Sequence, residues 1–259
     1  MTYKTILFAE RGGVAVITLN RPEVMNALNR VMRQEVTAAV TAAEQSARVI
    51  VLTGAGRAFC SGQDLADGGG SAADIDLERT LRDEYEPMLR AIFSARVPVI
   101  AAVNGTAAGA GANLALAADV VIAAESASFI QAFARIGLIP DAGGTYWLPR
   151  QVGFARAMGA ALFAERISAR EAADWGMIWQ AVPDHDFDAT WRARADHLAK
   201  GPSTAYGHIK TALRASFAND LDGQLALEAE LQGACGRSQD FREGVAAFLE
   251  KRAARFVGK

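Results

Sequence analysis

Histidine and cysteine are scarce in this chain. Three histidines (His185, His197, His208) and two cysteines (Cys60, Cys235) occur among 259 residues. The histidines lie in the C-terminal half without ligand-like spacing, and the cysteines stand far apart. No zinc pattern and no disulfide framework can be built from them, so no metal is expected. Cysteine this rare fits a reducing compartment, and a cytoplasmic location is expected. A basic excess is also missing. Lys and Arg number 27 against 29 Asp and Glu, a net charge of −2, which argues against a general nucleic-acid binder. Met1–Glu10 lacks the apolar stretch of a signal peptide. The longest uncharged run, Val97–Ala118, is long enough to cross a bilayer, but Pro98, Asn104, Gly105, Gly109, Gly111 and Asn113 interrupt it. A strand, a turn and a buried helix explain it better, and no membrane partner is expected. Aromatics are only 8%.

Alanine is what the chain has in plenty. It supplies 54 residues of a hydrophobic fraction of 51%. Small side chains suit close helix packing better than a greasy surface. The length fits one large domain, or a domain plus a small appendage, with a core that needs no disulfides.

The first half alternates strands with helices. Thr5–Phe8 and Val14–Leu19 read as a hairpin turning at Gly12-Gly13. Asn26–Gln45 carries Leu28, Val31, Met32, Val36, Ala39, Val40 and Ala43 at helical spacing. Strand Val49–Thr53 follows, then a glycine-containing loop from Gly54 to Asp67. Gly68-Gly69-Gly70-Ser71 reads as the most flexible stretch. Next come a helix over Asp76–Ser94, strand Val97–Val103, a turn at Asn104-Gly105, a helix over Gly109–Ala118 and strand Val120–Ala124. Beyond Gly153 nearly everything reads as helix except Ile178–Val182, with a boundary at Gly201-Pro202. The fold class is therefore mixed α/β with buried strands. Residues 1–200 form the expected core and 201–259 a helical appendage.

Three segments are candidates for chemistry. Gly109-Ala110-Gly111-Ala112-Asn113 follows a strand and opens a helix. It matches part of a dinucleotide loop, but Leu114 stands where the third glycine belongs. Its small residues suit tight packing, or its free N–H groups suit a developing oxyanion. Phe59-Cys60-Ser61-Gly62-Gln63-Asp64-Leu65 also follows a strand. Cys60 or Ser61 lacks a nearby histidine for nucleophilic work. There the alternatives are a turn with Asp64 capping a short helix, or backbone N–H groups presented to a ligand. Asp141, in Ile139-Pro140-Asp141-Ala142-Gly143-Gly144-Thr145, reads either as an N-cap or as a lone carboxylate among Ile136, Leu138, Ile139, Tyr146, Trp147 and Leu148. Apolar surroundings would raise its pKa and suit it to carry a proton.

Taken in order, these segments resemble the enoyl-CoA hydratase/isomerase (crotonase) superfamily over nearly the whole chain. Ile17-Thr18-Leu19-Asn20-Arg21-Pro22 with Asn26-Ala27-Leu28 is similar to its N-terminal signature. Val51-Leu52-Thr53-Gly54 with Phe59–Leu65 is similar to its first oxyanion-hole segment, and Val97–Gly105 running on to Gly111 to its second. The resemblance implies a crotonase-like spiral of ββα units with a C-terminal helical region that builds a trimer or a dimer of trimers. It implies an acyl-CoA thioester substrate, with no cofactor beyond the CoA that the substrate carries. The N–H groups of Gln63 and Ala110 would hold the thioester oxygen. The CoA and acyl contacts would fall at Val24, Met25, Ala58, Ser61, Gly62, Asp64, Leu65, Gly109, Asn113 and Phe133. The tail from Cys235 holds six Arg and Lys against three Asp and Glu, and reads either as a CoA-phosphate contact or as a solvated face.

Departures from the family pattern matter here. A hydratase of this family holds water between two glutamates. This chain has Asn113 and Phe133 there, and neither side chain can act as general acid or base. Asp141 falls where isomerases carry their single acid. The segment Ala132–Thr145 is most similar to the phenylacetate-degradation branch, which converts ring-1,2-epoxyphenylacetyl-CoA to oxepin-CoA and can shift double bonds in enoyl-CoAs. The resemblance thus implies an acyl-CoA isomerase using Asp141. A hydratase with an unusual site and a non-catalytic acyl-CoA-binding scaffold are the alternatives.

Overall fold

A computed structural model describes residues 2–67 and 76–259. The Gly68–Ser71 stretch, read above as flexible, lies outside them. Two sheets organise the rest. The larger has the strand order β1 (Ile6–Arg11), β2 (Val14–Leu19), β3 (Val49–Gly54), β5 (Val99–Val103), β7 (Val120–Ala124), β10 (Gln180–Val182). Only β1 runs antiparallel to its neighbour; the other pairings are parallel. The β1–β2 hairpin turns at Gly12 and Gly13 with φ of 60° and 81°, a left-handed pair that glycine adopts without strain. Strands β3 and β5 are almost entirely buried, as continuous apolar runs of a parallel sheet should be.

The second sheet is made of triplets: β4 (Ala58–Cys60), β6 (Thr106–Ala108), β8 (Ser128–Ile130) and β9 (Arg166–Ser168), paired in that order. None stands out in the sequence. Three residues carry no period, so the segment read as a loop from Gly54 contains β4, and the region beyond Gly153 contains β9. Strands β3, β5 and β7 each run into a short one and then toward a helical segment. Thus β3 leads to β4, and β5 leads through β6 to α4 (Ala110–Leu116).

Helix α1 is Arg30–Ser46 and starts later than the apolar spacing suggested. Asn29 caps it, accepting the Met32 N–H at 2.9 Å. Asn26 is not helical. It is buried with φ of 56°, and its amide donates to the carbonyls of Ala55, Ala58 and Phe59. The helix expected over Asp76–Ser94 is three pieces in line: α2 (Leu77–Thr80), a π-turn (Leu81–Tyr85) and α3 (Glu86–Ser94).

After β8 the chain makes a short 3-10 turn (Ala132–Ile136), then α5 (Gly144–Val152), α6 (Phe154–Phe163), α7 (Ala169–Asp174) and α8 (Asp184–Ala199). From Gly201 onward it is helical, with α9 (Ser203–Ala215), α10 (Leu221–Gly236) and α11 (Gln239–Leu249). The final residues fold back on this region. Arg48 donates to the carbonyls of Phe256 and Gly201, and Asp240 accepts the N–H groups of Val257 and Gly258. No helix among the described residues is long and apolar enough to cross a membrane.

Candidate active site

Parallel pairing of β4 with β6 brings their C-terminal ends side by side. The first strand delivers Ser61, Gly62 and Gln63; the second delivers Gly109 and Ala110. The approach is close. A Cβ at Gly62 would lie 2.8 Å from the Ala108 carbonyl oxygen and 3.4 Å from the Ala110 nitrogen. Gly62 has φ of 97° and Gly109 has φ of 53°, so glycine serves both the turn and the contact. At the second residue of α4, a Cβ at Gly111 would overlap the Cys60 carbonyl. The packing reading of this glycine cluster therefore holds, and the same close approach sets the Ala110 nitrogen beside Gly62.

Two backbone donors result. Leu28 brackets Gln63 across a single parallel bridge: its N–H donates to the Gly62 carbonyl at 2.7 Å, and its carbonyl accepts the Asp64 N–H at 3.2 Å. That leaves the Gln63 N–H pointing away from Leu28. Ala110 is the first residue of α4, where an N–H has no intrahelical acceptor. Among the described residues neither N–H has an acceptor.

Both donors border a cavity of about 280 Å³. Leu77, Thr80, Leu81 and Tyr85 form one stretch of its lining, and Phe133, Ile136 and Leu138 another. Asp141 lines it too, as the one acidic side chain there among the described residues. Burial pushes this carboxyl up from an ordinary 3.8 to about 6. Its Oδ1 is buried with no hydrogen-bond partner among the described residues. The capping reading of Asp141 does not hold. Gly143 occupies the N-cap of α5, and no side chain caps that helix.

Asp141 is held by its backbone instead. Its carbonyl accepts from the Gly144 N–H at 2.8 Å and from the Asn113 amide at 2.7 Å. Asn113 Oδ1 in turn accepts from Gln131 Nε2 at 2.8 Å. A Cβ at Gly144 would collide with the Asn113 side chain. Asn113, on α4, therefore fixes the peptide that carries the acid through its carbonyl rather than its carboxylate.

Several expected contacts take other places. Ser61, Gly62, Gln63, Leu65, Gly109, Ala110, Phe133 and Asp141 all line the cavity. Ala58, Asp64 and Asn113 do not. Ala58 is buried in β4 with its carbonyl taken by Asn26. Asp64 is paired with Arg21 at 2.8 Å and accepts the Ala66 N–H. Asn113 is fully buried beneath Asp141. Val24 and Met25 are exposed on the surface beside Ser61, whose N–H donates to the Met25 carbonyl and whose hydroxyl donates to that of Val24. That use of the Ser61 hydroxyl, and a Cys60 thiol pushed up to about 12 by burial, leave neither as a nucleophile. None of the six cations of the tail lines the cavity, and Arg252 is engaged by Glu243 and Glu250.

Sequence reasoning missed Arg33, Glu84 and Tyr85. Arg33 and Glu84 pair at 2.5 Å while 2% and 7% exposed, and Tyr85 is buried beside them. A signal existed. Arg33 falls on the stripe of Val36, Val40 and Ala43, and Glu84 falls four residues before Met88 and eight before Ile92. Two opposite charges on two apolar stripes point to each other.

The enoyl-CoA hydratase/isomerase family model matches residues 9–259. The chain belongs to that family. It is an enzyme of the family acting on CoA thioesters, with the mixed α/β crotonase fold. It is 66% identical over 259 residues, all of both chains, to a "Probable enoyl-CoA hydratase" of Rhodobacter capsulatus. It is 48% identical over 253 residues to the "1,2-epoxyphenylacetyl-CoA isomerase" of Escherichia coli, covering 95% of this chain and 96% of that one. Among solved structures it superposes on a putative enoyl-CoA hydratase/isomerase of Mycobacterium abscessus with a TM-score of 0.93. That pair shares 38% identity over 98% of this chain and 100% of the other.

Proposed function

We propose that this enzyme is an acyl-CoA isomerase in which Asp141 carries the proton and the N–H groups of Gln63 and Ala110 hold the enolate oxygen. The observation that carries the reading is a buried carboxylate, the one acid lining the cavity among the described residues, beside two donors with no acceptor there, with Asn113 and Phe133 unable to supply a second acid. Asp141 in its carboxylate form takes a proton from the carbon next to the thioester. The electron pair moves to the thioester oxygen, where each donor contributes about 3 kcal/mol in the transition state. In a 3-enoyl thioester the charge extends to the γ carbon. Protonated Asp141 returns the proton there, and the double bond comes to lie next to the thioester. No other group is consumed, and CoA enters only as part of the substrate.

The acyl group proposed is the ring-1,2-epoxide of phenylacetyl-CoA, giving the oxepin. The 48% identical isomerase and the apolar lining support it. A hydratase is the second reading, favoured by the printed name of the 66% identical relative. A mass-spectrometric screen of CoA thioesters, including phenylacetyl-derived ones, tests both. Isomers of unchanged mass are expected. A gain of one water would favour the hydratase, and binding without turnover would favour a scaffold.

A homo-oligomer, a trimer or a dimer of trimers, is part of the same reading. Its support is the apolar surface of the last helices, where Leu213, Phe217, Phe248 and Leu249 are all more than 60% exposed. A CoA thioester substrate also supports a cytoplasmic location.

A further inference from the structure

Behind the Gln63 segment lies a buried ionic network that the proton transfer does not use. Arg33 Nε and Nη2 donate to Glu84 Oε2 at 3.0 and 2.5 Å. Its Nη1 donates to the Leu28 carbonyl at 2.6 Å and to Gln63 Oε1 at 3.0 Å. The Tyr85 hydroxyl donates to the same Gln63 oxygen at 2.5 Å, and the guanidinium stands 4.9 Å from the Tyr85 ring centre. A buried ion pair is seldom the most stabilising choice for its volume. Its place in the fold suggests another use.

Leu28 and Gln63 face each other across the bridge that turns the Gln63 N–H outward. Arg33 grips both sides of that bridge, the Leu28 carbonyl on one and the Gln63 amide oxygen on the other. Glu84 fixes Arg33, and Tyr85 supplies the second donor to Gln63. Glu84 and Tyr85 both belong to the π-turn, whose wider geometry buries two successive side chains.

We propose that the Gln63 side chain is a positioning group, held by Arg33 and the Tyr85 hydroxyl so that the Gln63 backbone N–H faces the reacting oxygen. This rests on the reading of that N–H as an oxyanion donor. Both lone pairs of the amide oxygen are engaged, by Arg33 and by the Tyr85 hydroxyl. A backbone donor is effective only where it is aimed in advance, since a peptide free to rock loses the advantage of preorganisation. The same hydrogen bond commits the Tyr85 proton to Gln63. Burial raises the phenol's pKa further, so it stays neutral beside Asp141.

The test is steady-state kinetics of Gln63→Met and Tyr85→Phe on an isomerised thioester, with Asp141→Asn assayed alongside. Gln63→Met keeps the backbone N–H and the side-chain length but removes the acceptor together with the amide NH2, whereas Tyr85→Phe removes one donor to that acceptor and leaves the NH2 in place. Its kcat is expected to fall about tenfold or more with KM within about threefold, and Tyr85→Phe is expected to fall less. A Gln63→Met enzyme with kcat within about twofold of wild type overturns the proposal, as does a rise confined to KM. Should Gln63→Met fail to fold, as judged by its melt, Tyr85→Phe decides: a kcat equal to wild type overturns the proposal. Wild-type turnover in Asp141→Asn would instead overturn the isomerase reading beneath it, so the two failures are distinct.

Discussion

At the residue scale the proposed chemistry rests on one carboxyl kept apart from partners. Asp141 pairs with no cation among the described residues, and desolvation lifts it to about 6. Two expectations follow. As a base it must be ionised, so kcat/KM should rise as pH climbs through about 6 and fall away below it. A profile flat from pH 5 to 8 would contradict this role. The raised pKa also burdens stability. Between about pH 4 and 6 the folded state holds more protons than the unfolded one, so stability declines as pH rises, and the full cost applies above 6. Asp141→Asn removes that cost and should raise the melting temperature at pH 7.5 by a few degrees, corresponding to roughly 1–3 kcal/mol, while cutting turnover by at least about 100-fold. Calorimetry and kinetics on one preparation check both. Asp141 was legible in the sequence from its apolar neighbours and family position. The Asn113 bond to its carbonyl was not, because the two residues are 28 apart and only the docking of α4 joins them.

Elements determine whether the two donors converge. The long strands β2, β3, β5 and β7 could be read from apolar runs of five or six residues. The triplets β4, β6 and β8 could not, though it is their pairing that sets Gln63 beside Ala110. Gly62 marks the point of closest approach. Gly62→Ala meets a φ of 97° and a carbonyl at 2.8 Å, so it should force the two segments apart and lower kcat more than thermal stability. A kcat near wild type would show that the spacing is not needed. Between α1 and the π-turn, the Arg33–Glu84 pair gives a different expectation. Glu84→Leu removes the nearer carboxylate of buried Arg33, leaving Asp67 at 3.5 Å, and should destabilise the fold by roughly 3 kcal/mol, measured by denaturant unfolding. Each charge could be located on an apolar stripe in the sequence, but not their meeting, which depends on how the two helices pack.

For the whole molecule, the alanine excess finds a use in close approach. α4 is buried throughout, and its small residues let it press against the Cys60 carbonyl and open its N-terminus to the cavity. The C-terminal helices are different, with large apolar side chains left outward. Phe248 is 82% exposed. If these faces join copies of the chain, Phe248→Asp with Leu213→Asp should lower the native mass measured by light scattering toward a single chain. An unchanged mass would place the contact elsewhere. The basic tail, a candidate for CoA phosphates in the sequence, folds back on the C-terminal helices and Arg48 and stays off the cavity of its own chain.

The most direct measurement of the central claim is the fate of a 3-enoyl-CoA thioester given to wild type and to Asp141→Asn. The account expects wild type to yield the 2-enoyl isomer without added water, and the variant to bind the thioester yet leave it unchanged. A 3-hydroxyacyl product from wild type, or isomerisation persisting in Asp141→Asn, would contradict it.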